Sequence, residues 1–147
     1  MKRLPWKYLA GLFDGEGCFD LHIGNGRYIQ PRARMTLIEN CRFILEYIQN
    51  SYGGTLNDKI VDNPNWSNSC SWELVGYRLV CMFIHQIIPH LIIKKEQAKF
   101  LLWMQNNLKG KTLSKELIQV AKKELSLMKK DPHRLSDEAV EKVLQML

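Results

Sequence analysis

The sequence predicts an α+β domain, with one antiparallel sheet backed by helices and more helices after it. Three observations carry this. Residues 18–23 and 28–37 alternate apolar with polar, the period of strands buried on one face. Stretches of helical spacing precede and follow each pair of strand-like segments. The resulting order, αββαββα and then a helical tail, segregates helices to one face of the sheet. At 147 residues, 46% hydrophobic and 24% charged, the chain has the size and composition of a single globular domain.

The elements follow in order. Pro5 suits a first helical turn, and Leu9, Leu12 and Phe13 make the stripe of a helix running to about Gly15. In residues 18–23, Phe19, Leu21 and Ile23 face one way and Cys18, Asp20 and His22 the other. Gly24-Asn25-Gly26 is a hairpin signal. In residues 28–37, Ile29, Pro31, Ala33, Met35 and Leu37 oppose Tyr28, Gln30, Arg32, Arg34 and Thr36. Pro31 predicts an edge strand or a bulge there. Asn40 is the expected cap of a second helix that stops at Gly53-Gly54. Residues 54–61 and 68–75 form a second strand pair, with Cys70, Trp72 and Leu74 opposing Ser69, Ser71 and Glu73. An apolar helix from Tyr77 ends near Pro89, and another runs from Lys95 to Leu108. Two tail helices, over residues 113–130 and 136–146, are separated by Asp131-Pro132. The expected organisation is a core over residues 1–110 and a basic helical extension of the same domain over 111–147.

Composition narrows function. Twenty-one Lys and Arg against fifteen Asp and Glu leave a net charge of +6, which points to an anionic partner. Residues 109–134 hold eight of the basic and three of the acidic residues, so most of the excess lies in the tail. The strand-like residues 27–37 carry three arginines and no acid, with Gln30 among them. Arginine forks onto guanine and glutamine onto adenine. No apolar run reaches the roughly 18 residues of a membrane span. Residues 1–6 lack the pattern of a signal peptide. Cys18, Cys41, Cys70 and Cys81 make no CxxC pair, and His22, His85, His90 and His133 have no ligand spacing. A reduced, intracellular protein without zinc is expected.

Residues 8–19 carry the chemistry. Gly11 lies inside a helix, where glycine costs about 1 kcal/mol relative to alanine. With Ala10 and Gly15 it makes a small-residue strip, which lets two helix backbones approach closely. Asp14 and Glu16 lie at the helix C-terminus, where the macrodipole disfavours acids. A bound divalent cation would offset that charge, and oxygen ligands suit Mg²⁺.

Residues 9–17, Leu-Ala-Gly-Leu-Phe-Asp-Gly-Glu-Gly, resemble the signature of the LAGLIDADG homing endonucleases. Leu9, Ala10, Gly11, Leu12, Asp14 and Gly17 match it letter for letter, while Phe13, Gly15 and Glu16 are conservative departures. The resemblance implies a saddle of strands over the DNA major groove and two signature helices side by side at its centre. It implies Glu16 as the metal-binding catalytic acid, the Gly15 carbonyl as a further ligand, and Mg²⁺ or another divalent cation such as Mn²⁺. Residues 88–98 resemble the family's basic active-site region, with Lys94 at the matching position.

One signature in this sequence supplies one acid, so the resemblance implies a homodimer on a nearly palindromic site. Leu9, Ala10, Gly11 and Asp14 are expected at the dimer interface, with Asp14 chiefly bracing the helix end. Strand alternation makes Asp20, His22, Arg27, Tyr28, Gln30, Arg32, Arg34, Thr36, Asn57, Lys59, Ser69 and Ser71 the DNA-facing candidates. The expected function is sequence-specific double-strand DNA cleavage by an intron-encoded type of enzyme, in an organelle or in prokaryotic or phage cytoplasm. Two other readings share the scaffold: an RNA-splicing maturase, suggested by the basic tail, and a catalytically silent DNA-binding module. No membrane partner is expected.

Overall fold

The computed structural model describes residues 4–24 and 27–147. The order is α1 (Trp6–Glu16), β1 (Gly17–Ile23), β2 (Ile29–Ile38), α2 (Arg42–Tyr52), β3 (Thr55–Lys59), β4 (Ser69–Val75), α3 (Tyr77–Ile87), α4 (Lys95–Asn107), α5 (Lys115–Lys130) and α6 (Ser136–Leu144). This is the predicted αββαββα arrangement with a helical tail. The four strands form one antiparallel sheet in the order β1-β2-β4-β3. Asn25 and Gly26 of the expected hairpin turn lie outside the described residues.

One face of the sheet is covered. Phe19 and Leu21 of β1, Ala33 and Met35 of β2, and Cys70, Trp72 and Leu74 of β4 are buried beneath the helices. An aromatic cluster ties the layers together: Phe83 of α3 meets Phe13, Tyr52 and Trp72 edge-on, with ring centroids 5.1 to 5.4 Å apart. Aromatic pairs favour that edge-to-face arrangement. Gly54 closes the turn into β3 with φ +93°. A Cβ there would lie 2.4 Å from the Glu73 carbonyl oxygen, so no other residue fits without movement.

Two expectations are corrected. β2 is an interior strand, not an edge. The Pro31 carbonyl accepts from Gly76 N (3.0 Å) on the β4 side, so its nitrogen faces that side too. The β2–β4 ladder has already ended at the Arg32–Val75 pair, and no strand donor is needed beyond it. Asn40 does not cap α2. Glu39–Cys41 form a 3₁₀ turn that runs into the helix, and no side chain caps it.

The tail belongs to the same core. Leu113, Leu117, Ile118, Ala121, Leu125 and Met128 are buried in one cluster with the sheet and with α3 and α4. Ser114 caps α5, accepting from Leu117 N at 3.1 Å. Glu96 of α4 accepts from Ser136 N (3.0 Å) at the start of α6, and Arg134 donates to the buried Glu124 (2.7 Å). Leu113 N also donates to the Arg27 carbonyl (3.2 Å), which joins the tail to the β1–β2 connection. Removing residues 111–147 would therefore open the core as well as remove charge. No helix among the described residues is long and apolar enough to cross a membrane.

Candidate active site and sheet face

The site is built at the end of α1, where the helix passes directly into β1. Leu9, Ala10, Phe13 and Asp14 turn inward; Tyr8, Gly11, Gly15 and Glu16 are exposed, with Leu12 half-buried. Gly17 makes the junction tight, since a Cβ there would lie 2.3 Å from the Phe13 ring. Gly11 and Gly15 are different. A Cβ at either meets nothing within 4 Å among the described residues, so no described contact requires glycine there.

The two carboxylates at this helix end part company. Asp14 is 8% exposed, and its carboxylate accepts from Ile92 N (2.7 Å) and Lys94 N (2.9 Å). Lys94 Nζ in turn donates to the Asp14 carbonyl oxygen (2.6 Å). Three hydrogen bonds thus lock the loop before α4 to the end of α1. For Asp14, backbone amides offset the unfavourable helix dipole, a role the sequence assigned to a cation for both acids. Glu16 is exposed and makes no hydrogen bond or ion pair within the described residues. Lys94 is half-buried. Desolvation pulls its ammonium below the ordinary lysine range, and the negative charges of Asp14 and Glu16 oppose that shift.

Asp14→Asn is expected to lower unfolding stability by about 1–3 kcal/mol, because one amide of the loop loses its acceptor. Denaturant titration checks this. The midpoint should fall while the slope stays constant; an unchanged midpoint would show that the brace carries no weight.

The four residues expected at a dimer interface do not share one face of α1. Leu9 and Ala10 are 1% and 0% exposed, buried in this chain's own core, while Gly11 is exposed. At 100° per residue, Tyr8, Gly11, Leu12 and Gly15 share the free face and Asp14 lies at its border.

The other face of the sheet is polar and open. His22 pairs with Gln30, Asp20 with Arg32, Thr36 with Ser71, and Ser69 with Ile38. Asn57 and Lys59 continue this face opposite Ser71 and Ser69. Tyr28 and Arg27 are exposed just before β2, Arg27 with φ +62°. The structure therefore brings all twelve sequence-predicted contact residues to this face or its rim. The same alternation puts Cys18 and Glu73 on this face, as the sequence predicts, and adds Ile38, Thr55 and Val75. The arginines are not free. Asp20 lies 2.6 Å from Arg32 and 2.7 Å from Arg34, and Glu73 lies 3.8 Å from Arg34. Thr36 and Ser71 share a hydroxyl hydrogen bond of 2.7 Å. Lys122 and Lys129 of α5 border Asp20 and Arg32, which puts part of the tail's charge at the rim of this face.

Among the described residues no three His, Cys, Asp or Glu side chains converge as a metal cage. One chain offers the free Glu16 carboxylate and the Gly15 carbonyl in the last helical turn. These are hard oxygen donors of the kind Mg²⁺ takes together with phosphate and water.

The family model for the LAGLIDADG endonucleases matches residues 9–107. The chain belongs to that family. No curated protein sequence matches it. The solved structure of the homing endonuclease I-CvuI, in complex with the I-CreI target and uncleaved in the presence of Mg, aligns with a TM-score of 0.68. It is 22% identical over 96% of this chain and 93% of that one. The homing endonuclease I-TnaI aligns with a TM-score of 0.61 at 17% identity, over 99% of this chain and all of the other. The meganuclease I-AabMI, bound to uncleaved DNA, aligns at 0.63 and 22% identity, over 90% of this chain but 50% of its own. These likenesses show the fold.

Proposed function

We propose that this chain is a sequence-specific double-strand DNA endonuclease that works as a homodimer with a divalent cation. The observation that carries the reading is the Glu16 carboxylate, exposed and without a hydrogen bond or ion pair among the described residues, where a glycine-bearing helix face that none of them covers meets a polar, arginine-bearing sheet. Gly11 costs helix stability and relieves no contact among the described residues, and close packing against a second α1 would explain it. Two copies of α1 side by side would bring two Glu16 carboxylates together, one for each DNA strand.

In this reading the sheet face and the α5 lysines hold the duplex, and phosphate contacts set its position. Glu16, with the Gly15 carbonyl, would hold Mg²⁺ or Mn²⁺. Such an ion supplies Lewis acidity and lowers the pKa of water when bound. Lys94 presents a cation beside the reacting phosphate, where it opposes developing negative charge. Asp14 positions Lys94 by fixing its backbone. The net reaction is hydrolysis: a water oxygen bonds phosphorus and one bridging P–O bond breaks.

The test is cleavage of a randomised duplex library with and without Mg²⁺, followed by sequencing of the ends. Cut ends of one consensus, with two related halves and only when metal is added, are expected. Binding without cutting under every metal would instead favour a silent DNA-binding module.

A further inference from the structure

We infer that Asp20 is a positioning residue that holds Arg32 for guanine readout, while Arg34 beside it does not read a base. This rests on the sheet face being the DNA-binding surface. Asp20 stands opposite Arg32 across β1 and β2, and its two oxygens take Arg32 Nε at 2.6 Å and Nη2 at 3.0 Å. That contact uses one edge of the guanidinium. The Nη1–Nη2 edge keeps its outward N–H groups, with no further hydrogen bond within the described residues. A two-pronged arginine edge is what matches O6 and N7 of guanine in the major groove.

Arg34 is the more exposed of the two, at 40% against 24%, so exposure alone would select it as the reader. Its ion pairs say otherwise. Nη2 lies 2.7 Å from Asp20 and Nη1 3.8 Å from Glu73, so the edge that would fork onto guanine sits between two carboxylates. The same geometry removes Asp20 from the direct base contacts expected of it. Asp20 is 17% exposed and both of its oxygens already face arginines, so a cytosine amino group would have to compete with them. An aspartate facing a phosphate-lined groove repels DNA unless neutralised, and the two arginines do that. Its positive contribution is to fix a long, many-rotamer side chain before DNA arrives.

The experiment is cleavage-site selection from a randomised duplex library with the full chain, for wild type, R32A, D20A, D20N, R34A and D20A/R32A, each checked for a native melting transition. Wild type should prefer guanine at one position in each half-site. R32A should reduce that preference about tenfold or more, the scale of one lost bidentate base contact. D20A should weaken it severalfold at the same position, with D20N in between. The double variant should be no worse than R32A, because Asp20 acts through Arg32. R34A should lower yield across the library and leave this preference unchanged. A D20A effect at a different position, multiplicative losses in the double variant, or loss of the preference in R34A would overturn the assignment. A selected site that D20A leaves intact refutes the role of Asp20 alone. Absence of any selected site in wild type refutes the DNA-reading function, and this inference with it.

Discussion

Glu16→Gln is expected to leave duplex binding intact and to lower cleavage by about a thousandfold or more. The magnitude follows from the role. A metal-held phosphoryl oxygen gains several kcal/mol of charge stabilisation in the transition state, and each 1.4 kcal/mol is about tenfold in rate. Gln keeps the shape and one acceptor oxygen but loses the charge that would hold the cation. Glu16 is exposed and bonded to nothing within the described residues, so the change breaks no internal contact. Folding stability should therefore move by less than about 0.5 kcal/mol, as for surface substitutions generally. Gel shift and single-turnover cleavage on the same duplex separate the outcomes. Cleavage at the wild-type rate would falsify the assignment of Glu16. Equal loss of binding and cutting would make it a contact residue and not a catalytic one.

The different surroundings of Glu16 and Asp14 were only half legible in the sequence. Their place at a helix C-terminus is local, and helical spacing shows it. What satisfies Asp14 is not local: its amide partners are 78 and 80 residues away, at Ile92 and Lys94. Strand faces were legible because a period of two is strict. Every residue from Ile29 to Ile38 sits on the face its parity predicts. Pro31 misled because a strand can be interior along most of its length and still run past its neighbour's end. Asn40 misled because a 3₁₀ turn took over the start of α2. In the signature, Ala10 and Gly11 are both small and adjacent in sequence. Only the packing of α1 shows that Ala10 is buried in its own chain and Gly11 faces out.

Gly11→Leu is therefore expected to act in opposite directions on the chain and on its assembly. Gly11 is exposed, and a Cβ there meets no described residue within 4 Å, so the added side chain has room to turn to solvent. Leucine is the better helix former by about 0.8 kcal/mol. The folded monomer should keep or raise its stability. Against a second α1 the same leucine stands where two backbones are meant to approach. Helices packed through larger side chains separate to about 8–10 Å between axes, and the paired Glu16 carboxylates would move apart with them. Light scattering after size exclusion should find a monomer with native circular dichroism. Cleavage of both strands should be lost while weak, half-site binding remains. Gly11→Ala, a smaller intrusion, should weaken the dimer without abolishing it. If Gly11→Leu remains an active dimer, α1 is not the interface, and another surface must bring the second Glu16 to the duplex. If the dimer is lost because the chain itself unfolds, the glycine serves a contact within the monomer, contrary to the open space around it.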